Sequence, residues 1–124
     1  MEVISLEVPP LYGQVEAGDR DAIEVPEWET GDETAVSNES MVFIATQSDA
    51  DGAVTIRVVS DENDGHDGVE VFSGEISLPS GVLRVGNSIA DRTADVDLAP
   101  RRSVSARIFV EPRELPNRIL ISIS

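Results

Sequence analysis

The chain has 124 residues and a net charge of −15, with 24 acidic side chains against nine arginines, no lysine and no cysteine. That composition excludes a disulfide framework, a thiolate metal site and a cysteine nucleophile, and so acidic a balance repels nucleic acid, so no DNA or RNA partner is expected. No apolar run approaches the roughly 18–20 residues that span a bilayer and the N-terminus lacks a signal peptide's basic start, so no membrane partner and a cytoplasmic location are expected.

Taken in order, the chain alternates like a series of strands. Ile4, Leu6 and Val8 fall on one face before Pro9-Pro10, which have no amide to donate and close the strand. Leu11 to Ala17 reads as a weaker strand, Gly18-Asp19 as a turn, and Ala22 to Val25 as a short strand ending at Pro26. Glu27 to Ser40 is polar and acidic, which predicts a loop with one irregular strand at Thr34–Val36. Met41 to Thr46 is nearly continuous in apolar residues, as a strand covered on both faces would be. Asp49 to Gly52 turns the chain, and Val54, Ile56 and Val58 alternate with Thr55 and Arg57, so Met41–Arg57 predicts a hairpin. An acidic loop follows over Asp61 to Gly68.

Val69 to Val85 is the segment around which the rest is organised, and it predicts a second hairpin. Phe72, Ile76 and Leu78 share one face, Pro79-Ser80-Gly81 supplies a turn, and Leu83 and Val85 resume the alternation. Gly86-Asn87 begins a looser connection through Ile89 and Asp91. Ala94, Val96 and Leu98 stop at Pro100, while Val104, Ala106, Ile108 and Val110 alternate with outward Ser105 and Arg107. Pro112, Pro116 and Asn117 mark a loop before Ile119, Ile121 and Ile123.

Valine and isoleucine together number 26, against nine leucines and methionines. Branching at Cβ suits a pleated sheet better than a helix. These patterns predict a single all-β domain over residues 1–124, an antiparallel β-sandwich of jelly-roll or immunoglobulin-like type with about nine to ten short strands. Phe43, Val54, Ile56, Val58, Phe72, Ile76, Leu78, Leu83, Val96, Val104, Ala106, Ile108, Ile119 and Ile121 are the expected core.

The charge is unevenly placed. Residues 1–66 carry sixteen acids and two arginines; residues 67–124 carry eight acids and seven arginines. A GC-rich genome or a halophilic source would account for missing lysine, but neither concentrates acids in one half. The asymmetry suggests an acidic face for a basic protein partner. Trp28, flanked by Glu27 and Glu29 and followed by Asp32 and Glu33, has two readings. It is either the hot spot of that face or an anchor pinning the acidic loop to the sandwich. Arg101-Arg102 read as solvated turn residues.

Other chemistry is sparse. Asp61, Asn63 and Asp64, with Asp49 and Asp51 if the loops lie together, offer oxygen ligands for calcium, but the spacing is not that of an EF-hand and no bound metal or cofactor is expected. His66 is the single histidine, which rules out a two-histidine metal site in one chain and leaves a serine triad only a poor setting among acids and glycines. Carboxylate pairs are too abundant to point to glycoside hydrolysis.

The layout resembles the competence protein J type of bacterial nuclease inhibitors. The matching elements are Trp28-Glu29-Thr30-Gly31-Asp32-Glu33, the strand Met41-Val42-Phe43-Ile44, Val71–Val85, Ala94–Leu98 ahead of a proline-containing turn, and the closing Arg118–Ile123 strand. The resemblance implies a small acidic β-sandwich that binds and blocks a basic nuclease, and it carries no inhibitory residue across. Three readings stand: a non-enzymatic protein-interaction module, a calcium-assisted ligand-binding module, and an enzyme. The single histidine and absent cysteine place the enzyme last.

Overall fold

In the computed structural model, residues 2–60 and 68–124 are described. The readings made for Asp61, Asn63, Asp64 and His66 lie outside the described residues. Ten strands follow one another: β1 (Glu2–Val8), β2 (Gln14–Asp19), β3 (Ala35–Ser37), β4 (Met41–Ala45), β5 (Val54–Ser60), β6 (Val69–Ser77), β7 (Val82–Asn87), β8 (Arg92–Asp97), β9 (Ser103–Glu111) and β10 (Arg118–Ile123). They form two five-stranded sheets, ordered β1-β5-β10-β9-β6 and β3-β4-β2-β7-β8. All pairs are antiparallel except β5 with β10, where Ile56 lies beside Ile119 and Val58 beside Ile121. The protein is an all-β sandwich.

The period-two alternation delivers one core between the sheets. Ile56, Ile108, Ile119 and Ile121 come from one sheet, and Val15, Val42, Ile44, Leu83 and Val85 from the other. Of the expected core, twelve residues are buried, while Phe43 and Phe72 are half-buried. Phe43 points away from Val42 and Ile44, onto the outer face of β4. Phe72 sits on β6, the edge strand of its sheet, beside a register shift between Glu70 and Phe72.

Neither predicted hairpin forms. β6 pairs with β9 in one sheet and β7 pairs with β2 and β8 in the other, so Pro79-Ser80-Gly81 carries the chain from sheet to sheet. The turn itself is as expected: the Gly81 amide donates to the Leu78 carbonyl at 2.8 Å, and Gly81 has φ +77. Leu78 and Leu83 still reach the same core, from opposite sheets. Met41–Arg57 divides in the same way between β4 and β5, joined through a 3-10 turn at Asp49–Asp51. The consecutive antiparallel pairs are instead β3–β4, β7–β8 and β9–β10. Leu11–Gly13 is a 3-10 turn rather than the start of a strand, and Ala22 to Val25 is not a strand.

Among the described residues, the strands of the acid-rich half are divided between the two sheets. β1 and β5 lie in one sheet and β2, β3 and β4 in the other. Several strand acids are held by arginines: Glu2 by Arg57, Glu70 by Arg107, Asp95 by Arg84 and Glu111 by Arg118. These pairs are exposed and screened by solvent, but they remove local negative field. Among the described residues, no helix is long and apolar enough to cross a membrane.

Candidate functional site

The β2–β3 connection builds the site. β2 and β3 both run antiparallel to β4, so residues 20–34 must return from one end of the sheet to the other. They cross the outer face of β4, where Phe43 would otherwise face water. Trp28 covers it, with ring centroids 6.5 Å apart and planes inclined by 21°. The indole Nε1 donates to Gln14 Oε1 on β2 at 2.9 Å. An offset pair of this kind contributes about 0.5–1.5 kcal/mol beyond area burial. This explains the unbroken apolar run of β4: one face meets the core and the other meets Trp28.

Beyond Trp28 the loop folds on a carboxylate. Glu33 Oε2 accepts from the Glu29 amide at 2.7 Å, and Oε1 accepts from the Thr30 amide at 3.1 Å and the Thr30 hydroxyl at 2.5 Å. Thr30 Oγ1 in turn accepts from the Asp32 amide at 3.2 Å. Gly31 holds the left-handed φ of +85 that the turn needs. The Thr30 hydroxyl, followed by the Glu29 amide, pushes the Glu33 carboxyl down to about 2 from its ordinary 4.5. A depressed carboxylate stabilises the fold fully above its ordinary value and loses that contribution as pH falls through its folded value. The hydrogen bonds to Glu33 therefore contribute fully above about pH 4.5 and lose that contribution progressively toward about pH 2. Removing the hydroxyl with Thr30→Val is expected to raise the Glu33 midpoint toward 4.5, read from its side-chain carboxyl resonance; a wild-type midpoint already near 4.5 would contradict this account.

The predicted residues thus divide by role. Trp28 is half-buried and Glu33 is engaged inside the turn, while Glu27, Glu29 and Asp32 are exposed. Among the described residues, none of these three carboxylates is paired with an arginine. Two depressions flank the turn. One, of ≈ 510 Å³, is lined by Tyr12, Gly13, Gln14, Trp28, Gly31, Glu33 and Ala45. The other, of ≈ 500 Å³, lies between residues 31–34, the β4 exit at Ala45-Thr46, and the β9–β10 connection at Arg113 to Pro116.

Two residues at this end escaped the sequence reading. Tyr12 is 81% exposed and Leu115 is 66% exposed. Both have left-handed backbones, with φ of 63 and 48, a conformation costing an ordinary side chain on the order of 1 kcal/mol. The sole tyrosine, between the Pro9-Pro10 stop and Gly13, was the available signal for the first. Nothing in the sequence marks Leu115.

At the opposite end of the sheet, Asp19 is buried at 3% exposure. Its Oδ1 accepts from the Ser80 amide and hydroxyl at 3.0 and 2.6 Å, and its Oδ2 from the Asp21 amide at 3.1 Å. These bonds tie β2 to the turn that crosses between sheets. Asp49 and Asp51 lie in the 3-10 turn after β4; among the described residues, no three His, Cys, Asp or Glu side chains converge to hold a metal.

The fold has a known counterpart. The chain superposes on the crystal structure of ComJ, inhibitor of the DNA degrading activity of NucA, from Bacillus subtilis, with a TM-score of 0.78 over 99% of this chain and 96% of that chain, at 11% sequence identity. The resemblance read from the sequence therefore holds as a shared fold. No protein-family model matches the sequence, and no curated protein matches it.

Proposed function

We propose that this chain is a non-enzymatic protein-interaction module that binds and inhibits a basic nuclease, using the Glu27–Glu33 turn. The observation that carries this reading is the acidic turn itself: a hydrogen-bonded turn that exposes Glu27, Glu29 and Asp32, none of them paired with an arginine among the described residues, on a sandwich of the ComJ fold. Trp28 and Glu33 serve it from within. The first fixes the loop on the sheet and the second closes the turn, so the exposed carboxylates are already in place before any partner arrives. Preorganisation of this kind reduces the entropy lost on binding. Trp28→Ala is accordingly expected to act by releasing the turn.

The test is inhibition. Titrating the protein into DNA-degradation assays of the basic nucleases from its own organism should abolish one of them at stoichiometric ratio. Undiminished digestion by all of them would contradict the proposal.

A further inference from the structure

We propose that Tyr12 and Leu115 are the apolar anchors of the docking surface, and that its occupant is an arginine- or lysine-rich protein segment carrying an apolar side chain between its charges. This deepens the function proposed above and rests on it. Backbone ties bring the two residues to the same place: the Thr46 amide donates to the Gly13 carbonyl at 2.9 Å, and the Gln47 amide donates to the Pro116 carbonyl at 2.9 Å. The β4 exit therefore joins the turn holding Tyr12 to the loop holding Leu115. Each stands at one of the two depressions that meet at Gly31 and Glu33.

Neither side chain supports the fold. Tyr12 at 81% exposure and Leu115 at 66% cover no core, and both hold a backbone conformation in which glycine would rest more easily. An aromatic and a branched aliphatic group held out by left-handed backbone fit contact with a partner better than stability. Charge complementarity selects the partner. Glu29, Asp32 and Glu114 are exposed on the same connections, and Asp49 and Asp51 are exposed on the 3-10 turn packed against Leu11–Gly13. Among the described residues none of these acids is paired with an arginine, and Arg113 is the local exception in sign. A second copy, itself at −15, would meet this end with repulsion.

Two capped peptides serve as probes: one of alternating arginine and leucine, and one with serine replacing leucine. They are titrated into isotope-labelled protein at low salt, with amide resonances followed. The leucine peptide should shift Gly13, Gln14, Gly31 and Thr46 saturably and bind about tenfold more tightly than the serine peptide. Tyr12→Gly and Leu115→Gly should each remove most of that difference while leaving the melting temperature unchanged or higher, a combination a structural role would not produce. Equal binding of the two peptides, or variants that bind the leucine peptide as the wild type does, would overturn the anchors and leave the basic-partner reading standing. Failure of both peptides to bind would overturn both. A dimer in sedimentation that Leu115→Gly dissolves would replace the proposed occupant with a second copy.

Discussion

Ile108→Ala is expected to lower the free energy of unfolding by about 2–5 kcal/mol, the range for truncating a fully enclosed aliphatic side chain. Ile108 has 0% exposure. Its strand β9 lies inside the sheet, with Ile121 of β10 on one side and Phe72 of β6 on the other. Neighbours held on both flanks by ladder hydrogen bonds cannot collapse into the space left, so the cavity adds to the lost transfer energy. Against a typical total of about 5–15 kcal/mol, that is a large fraction. The shift should appear in the urea midpoint with an unchanged slope. Phe72→Ala should cost less. Phe72 is half-buried on an edge strand, its ring lying over Gly74, where an added Cβ would stand 3.3 Å from Phe72 Cζ. A loss below about 1 kcal/mol for Ile108→Ala would contradict the packing described.

Most of what alternation can encode was legible. Val104, Ala106, Ile108 and Val110 are all buried, with Ser105 and Arg107 exposed. Period two states which side of a strand is apolar, and a sandwich core accepts that side from either sheet. It does not state which strand lies alongside. Leu78 and Leu83 are equally buried whether their strands pair or face each other, so the Pro79–Gly81 turn read as a hairpin although it crosses between sheets. The parallel β5–β10 pair, which joins strands far apart in the chain, left no local sign at all.

The site was legible in its residues and not in their division of labour. A tryptophan among acids suggests an exposed hot spot and a loop anchor alike. The choice depends on Phe43 lying beneath it, and that follows from the direction of β4 relative to the connection crossing it. In the sequence Glu33 is one of four acids around Trp28, and its role follows from the Thr30 hydroxyl and the Glu29 amide closing on it. Tyr12 and Leu115 are far apart in sequence, and hydrogen bonds from the residues leaving β4 hold their loops at the same end of the sandwich.

Capture of a basic partner by the exposed carboxylates, as proposed, is read in association kinetics. Glu27→Gln, Glu29→Gln, Asp32→Asn and Glu114→Gln are combined in one variant that spares Glu33, so the turn remains closed. With the inhibited nuclease as partner, the variant should associate about tenfold or more slowly than the wild type at 0.01 M salt, where the Debye length is about 30 Å. The two rates should converge toward 1 M, where it is about 3 Å. Stopped-flow mixing across that range decides the matter: a wild-type rate falling steeply with salt and a variant rate falling less steeply is the predicted result. Rates that coincide at every salt concentration would contradict it.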